Sequence, residues 1–333
     1  MVELGVEVPV NEHSNEFVLA DIGGTHARFA LSIGDALGPL EDIPVASYPS
    51  TADAMRAFLG RHPASRPRGA VLAGAGPVYR NRIAMTNSPW VIDGVELRDS
   101  FDLPWVRVIN DFEALAWSLP DLRPSELYSI GGGRALAGAP AVVLGPGTGL
   151  GVACLVHGTQ GPEVIVSEGG HATLPGASQR EDAIIAHLRP RFGHVSAERA
   201  LSGGGLVNLY EAVAALDGLT VAKRDAAEIS REGVSGACPT SRAALGLFCA
   251  FLGTFAGDAA LMFGARGGVY VAGGIVPHFV EFLSRSEFRA RFESKGRLSS
   301  YVEAVPTHVI THKDPAFVGL ALLARELSRR PMI

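Results

Sequence analysis

Residues 17–31 run strand, carboxylate, glycine pair, threonine, strand, and a second strand–Gly/Thr–strand hairpin follows a domain's length later. Residues 17–20, Phe-Val-Leu-Ala, are a short apolar run of strand composition, and Ala20-Asp21-Ile22-Gly23-Gly24-Thr25 ends it in a tight turn. Residues 26–31 then alternate apolar and polar with period two, so a second strand follows. Two glycines beside a threonine hydroxyl let several backbone N–H groups approach one anion, because no side chain stands in the way. Asp21 cannot bind phosphate, but a carboxylate there can hold the Mg²⁺ that accompanies a nucleotide. On this segment alone, a glycine pair that merely turns the chain is the commoner reading. Recurrence favours the phosphate reading. Residues 141–144 form a second buried strand, Gly145-Pro146-Gly147-Thr148-Gly149 a second Gly/Thr turn, and residues 150–156 a second return strand. A third Gly-rich turn, Gly273-Gly274, follows the apolar run 269–272. Two such hairpins point to a duplicated α/β fold whose two phosphate loops face one nucleotide.

What is missing narrows the choice further. No GxxxxGK[ST] occurs, and the only lysines are Lys223, Lys295 and Lys313, which excludes a Walker-type P-loop. A dinucleotide fingerprint fits poorly, since strand rather than helix follows the first glycine turn. A net charge of −5 offers no basic field for nucleic acid. No uninterrupted apolar run reaches the length of a membrane span. Residues 1–16 carry Glu3, Glu7, Glu12 and Glu16 without a basic start, which reads as a loose tail rather than a signal or transit peptide. Cys154, Cys238 and Cys249 are odd in number and widely spaced, which fits buried thiols in a reducing cytoplasm better than disulfides or zinc.

Along the chain, helical patterns cover 51–59, 93–101, 112–119, 178–192 and 206–216, and a nearly all-apolar, buried helix covers 240–263. Ser178 with Glu181 three residues on predicts a capping box, and Gly203-Gly204-Gly205 predicts a break before 206. Asp314-Pro315 opens a final helix reaching 329. Strands at 68–75, 106–109 and 164–166 alternate with these helices, and residues 120–125 suit a connection between domains.

Asp111 ends the buried strand 106–109 and opens a helix, the kind of strand end where α/β sheets gather ligands. It could accept the proton of an attacking hydroxyl that Asn110 positions; both residues also favour plain helix N-caps. Glu168-Gly169-Gly170-His171 follows strand 164–166, and its glycines let a carboxylate and an imidazole converge on a small polar ligand. A core histidine satisfied by backbone is the competing reading, and zinc lacks neighbouring cysteines. Glu198 by itself reads as a solvated first-turn helix carboxylate.

Together these blocks resemble the bacterial glucokinases, single-chain hexokinase-like enzymes of the actin-like ATPase superfamily. The resemblance rests on residues 21–28, 109–112, 147–151, 168–171, 193–199 and 271–275, in family order and across nearly the whole chain. It implies the two-domain, ribonuclease H-like α/β fold with duplicated βββαβα-type units and a cleft between domains. The small domain would be 1–121, completed by the C-terminal helix 312–333, and the large domain 122–311. The family's catalytic base falls on Asp111, and its sugar contacts on Asn110, Asp111, Glu168, His171 and Glu198. The phosphate loops fall on Ala20, Asp21, Ile22, Gly23, Gly24 and Thr25 and on Gly147, Thr148 and Gly149. Adenosine would lie near Gly273 and Gly274, with Mg²⁺ linked to Asp21 through water. The implied reaction moves the γ-phosphoryl group of ATP to the 6-hydroxyl of glucose, in a cytoplasmic homodimer without nucleic-acid or membrane partners. Another hexose, or sugar sensing without turnover, are the alternatives. Three departures stand out: His26 where many relatives have Asn, Pro146 without an N–H in the second loop, and Gly204 where Pro is frequent. The closely spaced zinc cysteines of the related ROK kinases do not occur after His171, which implies the zinc-free branch.

Overall fold

The computed structural model describes residues 15–329 apart from 35, 86, 87 and 160. It comprises two compact units, residues 1–114 with 316–333 and residues 115–315. The first unit opens with β1 (Glu16–Ile22), β2 (His26–Ile33), β3 (Ala36–Leu37) and β4 (Glu41–Pro44). Helix α1 (Thr51–Gly60), β5 (Gly69–Gly74), the short pair β6 (Arg82–Ala84) and β7 (Val91–Asp93), α2 (Gly94–Phe101), β8 (Trp105–Asn110) and the start of α3 (Asp111–Ser118), which passes into the second unit at Leu115, follow. Its sheet runs β3-β2-β1-β5-β8 with β4 also on β2; β1, β5 and β8 are parallel and β2 is antiparallel to β1. Capping matches the sequence. Ser50 accepts from the Asp53 N–H ahead of α1, and Asp93 accepts from the Val95 and Glu96 N–H groups ahead of α2.

The second unit contains β9 (Leu127–Gly131), β10 (Ala141–Pro146), β11 (Leu150–Gly158), β12 (Gly161–Ser167), α4 (Gln179–Phe192), α5 (Gly203–Leu216), α6 (Ala226–Ser235) and α7 (Pro239–Phe263). It closes with β13 (Gly268–Val271), α8 (Val280–Ser284), α9 (Phe288–Glu293), α10 (Ser299–Glu303) and β14 (Thr307–Ile310). The sheet order is β12-β11-β10-β13-β14-β9. Strand for strand, β12-β11-β10-β13-β14 repeats β3-β2-β1-β5-β8, with the same antiparallel hairpin followed by two parallel neighbours. The duplication expected from the two glycine hairpins is therefore present in the backbone. Helix α11 (Pro315–Ser328) belongs to the first unit from Ala316 on.

Helix α7 is long and apolar enough to cross a membrane by composition, yet 72% of its most apolar stretch is buried inside the second unit. Its Phe248, Phe251 and Leu252 are core residues packed with Val269, Val271, Phe288 and Phe292. Glu181 of α4 is 4% exposed and forms a two-pronged ion pair with Arg291 of α9 at 2.6 and 2.9 Å.

Several sequence expectations need correction. Glu16 is no tail residue: it opens β1, is buried, and its carboxylate accepts the Arg66 N–H at 2.8 Å. The remainder of that tail, 1–14, lies outside the described residues, as do 330–333. Gly203-Gly204-Gly205 forms the first turn of α5, because Ser202 caps it by accepting from the Gly205 N–H. The capping box at Ser178 is half formed. Ser178 accepts from the Glu181 N–H, but the Glu181 carboxylate turns to Arg291 and the Ala177 N–H. Cys154 and Cys249 are buried, whereas Cys238 is half-buried and caps α7.

Candidate active site

In the first unit the parallel strands bring Ile22, Gly74 and Asn110 into one row at their carboxyl ends. Asp21 is mostly buried and ion-paired with Arg28, its cross-strand partner on β2. Arg28 in turn lies 5.9 Å from the ring centre of Phe317 on α11. Period-two alternation on β2 places Arg28 on the Asp21 face, a signal the sequence carries without a role attached. The Gly23 N–H donates to the His26 carbonyl at 2.8 Å and closes the turn, so that amide is committed. His26 itself is exposed and pairs with Asp42 at 2.7 Å.

Asn110 is held at both ends of its amide: Nδ2 donates to the Gly76 carbonyl at 3.1 Å, and Oδ1 accepts the Phe112 N–H at 2.8 Å. Asn110 therefore serves as the local cap of α3, and Asp111 is the first helical residue. The Phe112 N–H also approaches Asp111 Oδ1 at 3.0 Å. Gly76, with φ of 138°, has no local signal to mark it, because its tie to Asn110 spans 34 residues of sequence.

In the second unit, the expected sugar turn and the expected phosphate loop are laced together. Glu168 precedes a 3-10 turn at Gly169–His171, whose Gly170 lies so close to β11 that an added Cβ would fall 2.0 Å from the Leu150 carbonyl. Glu168 and His171 are exposed, which removes the core-histidine reading. The Ala197 N–H donates to the Ala172 carbonyl at 2.8 Å, joining this turn to a second 3-10 turn at Ala197–Arg199. Glu198 Oε2 then accepts the Leu150 N–H at 3.0 Å, just after the Gly147-Thr148-Gly149 loop. On the loop's other side, the Gly203 N–H donates to the Gly147 carbonyl at 2.9 Å. Gly273, at φ of 90°, sits against the Pro146 carbonyl, where a Cβ would come within 2.4 Å. Gly145 to Gly149, Glu168 to His171, Glu198 and Gly273 thus form one neighbourhood. The Gly147 N–H closes its own turn on the Gly149 carbonyl. Among the described residues, no group of three His, Cys, Asp or Glu could hold a metal ion.

A glucokinase family model matches residues 18–327. The chain belongs to the glucokinase family. A glucokinase of Paramagnetospirillum magneticum is 47% identical over 94% of this chain and 98% of its own length. One from Chromobacterium violaceum is 44% identical over 94% of this chain and 90% of its own. In three dimensions, the crystal structure of glucokinase from an Antarctic psychrotroph superposes with a TM-score of 0.86 at 37% identity, over 94% of this chain and 99% of that one. The two-sheet, duplicated α/β architecture is that of the glucokinase and ROK sugar kinases, of actin-like ATPase type, and the family is one of ATP-dependent hexose kinases.

Proposed function

We propose that this chain phosphorylates glucose at the 6-hydroxyl with ATP, using Asp111 as general base. The observation that carries the reading is the single hydrogen-bonded neighbourhood of the Glu168–His171 turn, Glu198 and the Gly147–Gly149 loop. Carboxylates suit a neutral polyol, because each oxygen accepts from a sugar O–H. Glucose is held by Asn110, Asp111, Glu168, His171 and Glu198. Asp111 takes the proton of the 6-hydroxyl, the alkoxide oxygen bonds to the γ-phosphorus, and the bond to the ADP oxygen breaks in line. With the Gly23 and Gly147 amides committed to their turns, the phosphate contacts rest on Gly24 and Thr25 and on Thr148 and Gly149. Adenosine rests by Gly273 and Gly274.

Magnesium keeps most of its waters and takes one or two carboxylates alongside substrate phosphates. Asp21, oriented by Arg28 at the first glycine turn, is the residue that would hold it through water. When bound, the ion offsets charge on the phosphates. The two units act as the family's small and large domains, and we place the protein in the cytoplasm as a homodimer, which light scattering of the purified chain tests.

A coupled assay of ADP release across a panel of hexoses tests the function. Glucose should be turned over, and Asp111→Ala should lose about 10²–10⁴-fold in kcat while keeping its fold. A folded variant with near-normal rate removes Asp111 as base. Preference for another hexose reassigns the pocket, and sugar binding without turnover makes the protein a sensor.

A further inference from the structure

Glu198 reaches two places. Its sequence position puts it among the sugar contacts of the proposed function, and its second role rests on that reading. Its carboxylate, however, is bonded to the Leu150 N–H at 3.0 Å, at the exit of the Gly147–Gly149 loop. Gly149 faces the same carboxylate, and a Cβ built there would meet Glu198 Oε2 at 2.5 Å and Cδ at 3.4 Å. The Glu198 segment is anchored in its turn. Ser202 Oγ donates to the Glu198 carbonyl at 2.8 Å and accepts the Gly205 N–H at 2.9 Å, fixing the segment to α5. The Gly203 N–H holds the loop's other end through the Gly147 carbonyl. A flexible glycine loop is thereby braced at both ends by residues 198–203.

We infer that Glu198 is a positioning residue for the phosphate loop as well as a sugar ligand, so that one carboxylate couples the two substrates. The brace presets the loop amides before nucleotide arrives, which lowers the ordering cost of binding. Sugar hydroxyls that donate to Glu198 fix its rotamer, and nucleotide affinity rises with sugar occupancy. By linkage, nucleotide raises sugar affinity by the same factor.

The test measures binding of a non-hydrolysable ATP analogue by calorimetry, with and without glucose, alongside glucose binding alone. Gly149→Ala forces the carboxylate off the Leu150 N–H while keeping its charge, and Gly149 has a φ that alanine accepts. Loss of a hydrogen bond to a charged group corresponds to about tenfold weaker analogue binding without sugar, with coupling to glucose falling towards one. Glu198→Ala loses the brace too, but it also removes a negative charge near the phosphates, which acts the other way. Glu198→Gln keeps an oxygen that accepts from Leu150 and should restore analogue binding relative to Glu198→Ala. Adding Gly149→Ala to Glu198→Ala should cost little more, since the carboxylate that the new methyl group would displace is gone. If Gly149→Ala binds the analogue like wild type, or costs as much on top of Glu198→Ala as alone, the brace is refuted. Failure of the underlying reading looks different: Glu198→Gln would then bind glucose unchanged, whatever the analogue does.

Discussion

The Glu181–Arg291 pair offers the most sharply quantified perturbation. Both side chains are mostly out of water, 4% and 15% exposed, and they meet through two bonds of 2.6 and 2.9 Å. Glu181→Gln preserves shape and the oxygen that accepts from Ala177, but strands the guanidinium. The other carboxylate within reach, Glu287, is 4.0 Å away and 73% exposed, too distant and too wet to replace it. Removing one partner of a buried pair costs about 3–5 kcal/mol, and Arg291→Met should fall in the same range. The double variant leaves no uncompensated charge, so it should fall short of the sum of the singles by about 2–3 kcal/mol. Urea unfolding followed by circular dichroism gives these three values against wild type.

The pair also fixes a pH dependence. Burial works to raise the Glu181 carboxyl, but the Arg291 guanidinium and the Ala177 and Ser178 donors outweigh it and hold it below the usual carboxylate range. A depressed folded-state value means stability present above the unfolded value of about 4.3 and lost as pH falls through the folded one. Wild type should therefore lose stability below about pH 4, and Glu181→Gln should lose less over the same interval. Additivity of the two single variants within about 0.5 kcal/mol, or an unchanged acid slope in Glu181→Gln, would refute the reasoning.

Three further outcomes are expected. Gly170→Ala drives a Cβ into the Leu150 carbonyl at 2.0 Å, a backbone atom that cannot swing away, and should abolish measurable glucose binding in whatever fraction still folds; glucose titration by calorimetry checks it. Gly273→Ala combines a left-handed φ of 90° with a 2.4 Å approach to the Pro146 carbonyl, and should raise the KM for ATP at least about tenfold with little change in the KM for glucose. Burial pushes the Cys249 thiol up to about 12 and that of Cys154 to about 11. At Cys238 burial works in the same direction, but the hydrogen bonds of Ser241 and Thr240 and the charge of Arg224 outweigh it and lower the thiol. Ellman's reagent at about pH 8 should then titrate one thiol rapidly in the native protein and the other two on unfolding, and two fast thiols would contradict this.

Both glycine hairpins, and from them a duplicated fold, could be read from sequence, because period-two alternation and clustered glycines are local signals. Helices with their own caps were equally legible: Ser50, Asp93 and Ser178 each sit where a side chain satisfies an orphan N–H. Helix α6 escaped although its capping box, Asp225 with Glu228, is local; most of what else escaped depended on partners far away in the chain. Glu181 abandons its capping box for Arg291, 110 residues on, and Asn110 is fixed by a carbonyl 34 residues earlier. Glu16 looks like tail composition, yet strand pairing buries it against Arg66. The strand β9 has a modest apolar pattern and is defined only by pairing with β14 at the sheet edge. In the candidate site, residue identities came from motif order, while the tie from Glu198 to Leu150 is a contact across 48 residues that no local pattern announces.

The division of the first unit between the two ends of the chain governs the order in which the protein can be built. Residues 115–315 are contiguous, and a nascent chain carries everything that unit needs before its last residues leave the ribosome. The first unit is made earlier but must wait. Phe317 and Leu320 of α11 are fully buried and belong to it, and Phe317 is the ring beneath Arg28, the partner of Asp21. Synthesis from the N-terminus thus makes the second unit before the first is complete, and the Asp21 turn gains its final support only once α11 has been made. A chain truncated before residue 316 should yield an intact second unit joined to a half-built first one.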